Sequence, residues 1–316
     1  MLSARRAPLV KELLDGLRAA HDPAERIPHD PVELVHLYRA PEDVEVAGLL
    51  CASLAYGRVD LFKPVLRRLL AALGPSPAAF CREMPERPRW SAFEGIVYRF
   101  NKGADLACLL WACGEALRRQ GSLGALFARS FREGGGVRGG LERFTGWLRA
   151  VDFGPVRRRL GAPRALEHLL PAPGTGGACK RLNLYLRWMI RGPDAVDFGV
   201  WRLPPSALVI PLDTHIARMS RNLGLTRRRD LSWRTAEEIT ASLRLLDPED
   251  PVKYDFALCH YGMSGLCPPA RRLARCRSCE LRRGCGPGTR LVRLHPACAA
   301  PLDSLASARL DGPEIT

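Results

Sequence analysis

The sequence contains no run of eighteen apolar residues, the length that a helix needs to cross a membrane. Its basic N-terminus, residues 1–22, is also unlike a signal peptide, because Lys11, Glu12 and Asp15 interrupt the apolar residues and predict an amphipathic helix. The eleven cysteines are an odd number without a regular framework, which argues against a disulfide scaffold. We therefore expect a cytoplasmic protein without a membrane partner, whose thiols are reduced.

Lysine is scarce, since the 48 basic residues comprise 43 arginines and five lysines. A high-GC genome favours arginine over lysine, but it does not explain the excess of basic over acidic residues that gives a net charge of +15. Such an excess is typical of proteins that bind a polyanion, most often nucleic acid. A basic protein with no such partner is the alternative. We predict a monomer that binds DNA and is associated with the nucleoid.

The alternating pattern of β-strands is also missing, and only "ALVIPLD", residues 207–213, predicts a short extended stretch. Elsewhere apolar residues recur at helical spacing, so we expect an all-α fold. The 316 residues suffice for one large domain or for two lobes around a cleft. Helices are predicted within residues 41–57, 58–74, 104–119, 141–151, 213–224, 232–246 and 247–267, and one more within 169–192 after a hairpin-like turn near 171–180. A loop is predicted at 132–140, and a loop-like, partly disordered tail at 286–316.

Four cysteines lie close together with the spacing C-x8-C-x2-C-x5-C: Cys267, Cys276, Cys279 and Cys285. Thiolates bind soft metals, and four of them can close a zinc site or hold an iron–sulfur cluster. Zinc sites usually have two close cysteine pairs, whereas here only Cys276 and Cys279 form one. The spacing therefore favours a [4Fe–4S] cluster, with zinc as the alternative and coincidence as the weakest explanation.

This cysteine spacing, together with the preceding "LCHYGMSGLC", resembles endonuclease III and the adenine mismatch glycosylases, whose pattern is C-x6-C-x2-C-x5-C. The first interval is two residues longer in this chain. The resemblance implies a metal-pinned loop that presents basic side chains to DNA phosphates. The corresponding DNA-binding candidates are Arg271, Arg272, Arg275 and Arg277, with Arg282 and Arg283 in the same patch. A solvated run of charge is the alternative for these arginines.

A second resemblance lies in "IPLDTHIARMSRNLGL", residues 210–225, which is similar to the V-D-T-H-[IV]-x-R-[VI] stretch of the same enzymes. It implies that Asp213 is a catalytic carboxylate in the substrate cleft and that His215 is a structural hydrogen-bonding residue. Breaking an N-glycosidic bond develops positive charge on the sugar, which a nearby carboxylate stabilises. The alternative is that Asp213 only caps a helix.

Lys180 is the candidate amine, because an ammonium group can lose its proton and form a Schiff base, whereas a guanidinium cannot. The preceding "PAPGTGGACKR" loosely resembles the hairpin of the helix–hairpin–helix motif. The interval of 33 residues from Lys180 to Asp213 is similar to that of archaeal 8-oxoguanine glycosylase. The alternative is a surface lysine at a helix start.

Taken over residues 40–285, the chain resembles a bacterial branch of the helix–hairpin–helix DNA glycosylase superfamily, of which "ACKRLNLYLRWM" and "PLDTHIARMSRNLGLT" are typical. The resemblance implies two helical lobes around a cleft. An N-terminal helix (1–40) would pack on a C-terminal lobe (201–285) that carries the catalytic aspartate and the cysteine loop, opposite a central lobe (41–200), with 286–316 as a tail.

The resemblance further implies a base excision repair enzyme that removes a damaged base from double-stranded DNA, with or without AP lyase activity. Ser53 and Tyr56 are candidates for a side chain that wedges into DNA, and Arg58 for a phosphate contact, with ordinary core or surface roles as the alternative. Trp188 and Trp201 are predicted in the core rather than stacked on a base. The alternative functions are a non-catalytic nucleic-acid-binding protein on the same fold and a zinc-stabilised scaffold that binds protein or RNA.

Overall fold

The computed structural model describes residues 2–295, and helices make up most of this part of the chain. This confirms the predicted all-α fold class. The helices are α1 Ala7–Ala20, α2 Pro23–Arg26, α3 Val32–Val35, α4 Pro41–Leu54, α5 Val59–Leu73, α6 Pro77–Glu83, α7 Gly103–Gln120, α8 Leu123–Glu133, α9 Val137–Arg149, α10 Gly154–Leu160, α11 Leu166–Leu169, α12 Lys180–Ile190, α13 Thr214–Leu223, α14 Trp233–Arg244, α15 Asp255–Met263, α16 Leu273–Arg277 and α17 Gly286–Leu294. No helix among the described residues is both long and apolar enough to span a bilayer.

The only strands in the described part of the chain form a small hairpin between α6 and α7. Strand β1, Val97–Tyr98, pairs antiparallel with β2, Asn101–Lys102. Two residues per strand are too few to show alternation, so sequence patterning gave no sign of this hairpin. The stretch 207–213 forms no strand; it contains the end of the 3-10 turn Pro205–Ala207 and then runs into α13.

Helix α13 has the bounds that the sequence predicts. The Asp213 side chain caps its first turn by accepting the backbone N–H of Ile216 at 2.8 Å. Gly224 ends it in the left-handed conformation (φ +76°), where a side chain would be strained. Capping and stop signals are local, so the sequence is sufficient to place this helix.

Two predicted helix boundaries are wrong. A helix was expected from Asp247, but α15 begins only at Asp255, because the Asp247 carboxylate accepts the N–H groups of Glu249 and Asp250 and holds a turn. The glycine-rich loop expected at 132–140 shrinks to 134–136, since α8 continues to Glu133 and α9 starts at Val137.

The tail is not loop-like where it begins. Residues 286–294 form α17, because Cys285 Sγ accepts the N–H of Gly288 and Pro287 suits the first turn of a helix. The rest of the predicted tail, residues 296–316, lies outside the described residues.

The core of the central helices is built around α4, which is buried along nearly its whole length and packs against α12 and α6. Trp188 and Trp201 both belong to this core, as predicted, and Trp201 Nε1 donates to the Glu45 carboxylate at 2.7 Å. These helices thus form a fixed body from which cleft residues project.

Helix α1 packs on the C-terminal helices rather than on the central ones. It contacts α15 and the turn at 282–284. Arg6 donates to the carbonyl oxygens of Leu223 and Gly284, and Tyr254 donates to the Asp15 carboxylate. Both ends of the described chain therefore meet on one side of the molecule.

Candidate functional site

A cleft of about 750 Å³ lies between the central helices and the C-terminal helices. Its walls come from separate parts of the chain: the segment before α3, the α4–α5 turn, the start of α12, the start of α13 and one face of α15. The polar side chains that line it include His29, Tyr56, Lys180, Asp213, Asp255 and His260. The cleft therefore contains both residues that the sequence nominates for chemistry.

Asp213 is half-buried at the start of α13. Its Oδ1 caps the helix, so the structural role proposed as an alternative is present. Its Oδ2 lies 3.6 Å from the thiol of Cys259, a weak donor on α15. One carboxylate oxygen is thus used by the fold, while the other has only a weak donor and remains able to interact with a bound group.

Lys180 is the first residue of α12 and is also half-buried. The preceding Cys179 has φ +47°, a left-handed conformation that turns the chain sharply into the helix. Lys180 makes no hydrogen bond and no ion pair with any residue in 2–295, unlike a lysine recruited to hold the fold together. Its ammonium group is therefore available to a ligand in the cleft.

Lys180 and Asp213 share one electrostatic environment. Burial raises the pKa of the Cys259 thiol well above its ordinary value, Asp213 and Asp255 raise it further, and Lys180 opposes them. The same charges act on Asp255, whose pKa burial raises to about 6 although the Arg187 guanidinium opposes the rise. Lys180 and Asp213 therefore line the same cleft and act with opposite sign on the same thiol and the same carboxyl.

Asp255 belongs to a buried ion-pair network that sequence reasoning missed. Its carboxylate accepts from Arg187, which also pairs with Asp197 at 3.1 Å, and Asp197 pairs with Arg191 at 2.7 Å. Buried charges persist when they are paired and hydrogen-bonded, as here. The network fixes the position of α15 against α12, so it positions the cleft walls.

A second missed pair is formed by Asp30 and His260. Asp30 Oδ2 lies 3.3 Å from His260 Nε2, and Asp30 Oδ1 accepts the N–H of Val32. Burial raises the pKa of Asp30, but the adjacent His260 side chain outweighs this effect and leaves that pKa lowered. The Phe256 ring lies 4.3 Å from the His260 ring, so an aromatic and a carboxylate stand side by side in the cleft wall.

His215 has the structural role that was expected of it. Arg218 Nη2 lies 3.3 Å from His215 Nδ1 and donates to the carbonyl of Gly262 at 2.7 Å. A methyl group at Gly262 would come within 3.0 Å of the His215 Cβ. The histidine thus marks the close approach of α13 to α15.

The two wedge candidates and the phosphate-contact candidate differ in how exposed their side chains are. Ser53 is buried on the inner face of α4, so it cannot insert into DNA and that prediction is wrong. Tyr56 is only half-buried, but its hydroxyl donates to Asn101 Oδ1 at 2.8 Å, which ties it to the hairpin. Arg58 is 78% exposed at the rim of the cleft and pairs with Asp60 at 2.7 Å.

All four cysteines of the C-terminal loop line one small cavity. Asn222 Nδ2 donates to Cys267 Sγ at 3.5 Å, and the Tyr261 hydroxyl lies 3.4 Å from Cys279 Sγ. Burial raises the pKa of Cys276 and of Cys285, and the neighbouring cysteines raise both further. A set of four thiol donors around one cavity fits a thiolate-ligated metal centre in its chemistry.

The sulfur atoms do not form a closed coordination sphere as they stand. Among residues 2–295, no group of three His, Cys, Asp or Glu side chains is placed as a ready metal site. The structure therefore gives the donor set and its common cavity, and the identity of a metal stays a prediction.

The arginines of the loop fall into two groups. Arg271, Arg272 and Arg275 are exposed and form no hydrogen bond or ion pair with the described residues. The others make internal contacts: Arg277 with the carbonyl of His295, Arg282 with the carbonyl of Arg277, and Arg283 with Glu12. Only the first three have their charge fully available for an external anion.

Comparison with known proteins gives one match. The model of a family described as "Protein of unknown function (DUF2400)" matches residues 30–264. No curated protein and no solved structure matches the chain. The matched span contains Asp30, Lys180, Asp213 and Asp255 and ends just before Cys267.

Proposed function

We propose that this chain, which belongs to the DUF2400 family, is a DNA glycosylase of the helix–hairpin–helix superfamily. The description of the DUF2400 family assigns no activity. The enzyme would excise a damaged base from double-stranded DNA and cleave the resulting site as an AP lyase. The observation that carries the proposal is that one cleft holds a half-buried carboxylate, Asp213, and a lysine without internal partners, Lys180. The net charge of +15 supports a polyanionic substrate.

The chemistry assigned to Asp213 follows from its charge and position. When the N-glycosidic bond breaks, the bonding electron pair leaves with the base and the sugar C1′ becomes positively charged. A carboxylate held by the α13 cap and by the Cys259 thiol is already in place to stabilise that charge. The Asp213 carboxylate can also take a proton from the attacking nucleophile.

Lys180 is assigned the nucleophilic role. Its deprotonated amine would bond to C1′ as the base leaves, and opening of the C1′–O4′ bond would then give the Schiff base. Loss of a C2′ proton would expel the 3′ phosphate and cleave the strand. Asp213 Oδ2, which has only a weak thiol donor in the same cleft, would receive the proton that the ammonium group must lose.

The four cysteines would hold a [4Fe–4S] cluster, with zinc as the alternative. When bound, such a centre would supply a cross-link between the end of α15 and α17, because the ligands span this segment. The loop itself would then present Arg271, Arg272 and Arg275 to DNA phosphates.

One observation favours a second candidate. Because Asp213 Oδ1 caps α13, the carboxylate has a sufficient structural role, and the free arginines alone would support a non-catalytic nucleic-acid-binding protein. A zinc-stabilised scaffold for protein or RNA would need neither Asp213 nor Lys180 in a cleft.

The deciding experiment measures base release by the purified protein from a panel of duplexes, each with one damaged base. We expect release from at least one duplex, and we expect Asp213→Asn to lower it by about 10²–10³-fold while DNA affinity is kept. Asparagine keeps the capping oxygen, so α13 should remain folded.

Asp22→Asn is the matched control, since Asp22 also caps a helix, by accepting the N–H of Ala24, but lies outside the cleft. It should leave base release unchanged. Full base release by Asp213→Asn would reject the assigned mechanism, and DNA binding without release from any duplex would favour the binding protein.

A further inference from the structure

Phe100 is an exposed aromatic residue on an ordered turn. Its side chain is 64% exposed at the tip of the β1–β2 hairpin, where Arg99 and Phe100 are the two turn residues. Arg99 has φ +50°, a left-handed conformation that residues with a side chain adopt only when the surroundings enforce it. The turn thus holds the Phe100 ring at a defined, exposed position at the tip of the hairpin.

The ring is supported from below by a fixed set of polar and aromatic contacts. The Tyr56 ring lies nearly parallel to the Phe100 ring, with centroids 6.4 Å apart, and the His168 ring meets it edge-on at 5.4 Å. Tyr56 in turn donates to Asn101 Oδ1, and Asn101 is fully buried. The tip of the hairpin is therefore held in place before any partner binds.

The hairpin stands at the edge of the cleft that contains Lys180. Tyr56, on which Phe100 rests, lines the cleft, and so does Arg181, whose guanidinium lies 5.0 Å above the Tyr56 ring. Two exposed arginines belong to this region: Arg99 beside Phe100 in the turn, and Arg58, which pairs with Asp60, on the rim of the cleft. An apolar ring within a basic rim matches a partner that has both flat apolar faces and negative charge.

We propose that Phe100 inserts into the base stack of duplex DNA next to the nucleotide that enters the cleft. A nucleotide that rotates out of the helix leaves a gap, and a flat apolar ring that fills this gap restores stacking for its neighbours. Arg58 and Arg99 would contact the flanking phosphates. The inference rests on the proposed function, and it names the wedge: Tyr56 supports the inserted ring instead of being it.

The test uses two duplexes of one sequence, one undamaged and one with a tetrahydrofuran abasic analogue, which contains a ready gap. Phe100→Ala should weaken binding to the abasic duplex by about tenfold, since one stacked ring is lost, and should change binding to the undamaged duplex by less than about twofold. Phe100→Trp should keep the affinity for the abasic duplex. Addition of that duplex should quench the tryptophan fluorescence of Phe100→Trp more than that of wild type, because the added indole stacks on bases.

Leu245→Ala is the matched control, because Leu245 is 54% exposed but lies outside the cleft lining. It should bind both duplexes as wild type does. Because the side chains of Phe100 and Leu245 are both exposed, we expect all variants to fold normally. Thermal unfolding of each variant checks this.

Unchanged affinity of Phe100→Ala for the abasic duplex, with no quenching in Phe100→Trp, would overturn the insertion even if base release is observed. Conversely, Phe100-dependent binding without base release from any damaged duplex would support the insertion and reject the glycosylase. A wild-type protein that binds neither duplex would reject both.

Discussion

Cys259 places a thiol hydrogen-bond donor next to the carboxylate of Asp213. Its thiol donates to Asp213 Oδ2, and burial raises its pKa well above the ordinary value, so it stays protonated at neutral pH. A protonated thiol can hold the carboxylate without adding a second negative charge next to it. The sequence does not single out Cys259 among the seven cysteines outside the four-cysteine loop, because its contact with Asp213 depends on how α15 packs on α13.

Lys180 gives the prediction at this scale. Sodium borohydride should trap wild-type protein covalently on a duplex from which it releases a base, because the reagent reduces the Schiff base of a lysine nucleophile. Lys180→Gln should give no trapped complex on a denaturing gel. Lys11→Gln, which removes a lysine on α1 far from the cleft lining, should be trapped like wild type.

Base release without any trapped complex in the wild type would show that Lys180 is only a DNA contact. The enzyme would then be monofunctional, with water as the nucleophile that Asp213 activates.

At the scale of elements, a helix is predictable where its signals are local. Asp213 and Gly224 delimit α13 within twelve residues, and the sequence was sufficient. The predicted start of helix α15 is wrong because Asp247 can either cap a helix or accept hydrogen bonds within a turn. In the structure its carboxylate accepts from the Asp250 N–H and from Lys253, which favours the turn. The start of α17 was missed because its cap is a cysteine thiol, which is not a usual helix-start signal.

The cysteine loop and α17 form the element whose stability depends on the proposed cluster. Anaerobically purified protein should show broad visible absorption from sulfur-to-iron charge transfer, with iron and sulfide in the preparation. Cys276→Ser should abolish the absorption and lower the unfolding temperature of the C-terminal helices, because the cross-link is lost.

Cys108→Ala, a change within the buried core of α7, should leave the absorption intact. Stoichiometric zinc without iron in an anaerobic preparation would contradict the cluster and leave the zinc alternative.

At the scale of the whole molecule, the sequence predicts a helical, basic protein, but it does not predict which distant segments contact each other. Asp30 pairs with His260 across 230 residues, and Arg187 pairs with Asp255 across 68. No local pattern indicates such pairs, since each partner alone resembles an ordinary charged residue. The candidate site was therefore predictable as two residues on separate helices, whereas the walls that enclose them were not.

The charge of the whole molecule predicts how DNA binding responds to salt. Affinity should fall linearly on a log–log plot as salt rises, because phosphate contacts release counterions. Replacing Arg271, Arg272 and Arg275 together with alanine should reduce that slope by about 2–3, roughly 0.9 for each phosphate that the protein no longer neutralises. Fluorescence anisotropy on one duplex over a range of salt concentrations measures it.

A triple alanine variant at Arg87, Arg132 and Arg138 removes the same charge from exposed positions outside the cleft lining. Its slope should stay close to that of wild type. Equal slopes for wild type and the Arg271, Arg272 and Arg275 variant would show that the loop does not reach DNA.

The packing of α1 has a consequence for the order of events during synthesis. Val10, Leu14 and Leu17 are buried, yet the partners that Arg6 and Asp15 need lie at residues 223–284. At about 5–20 residues per second, the ribosome takes roughly 15–50 s to reach them after α1 has emerged. During that interval α1 lacks these C-terminal partners, so it is made well before the residues on which it packs and reaches its native place only after them.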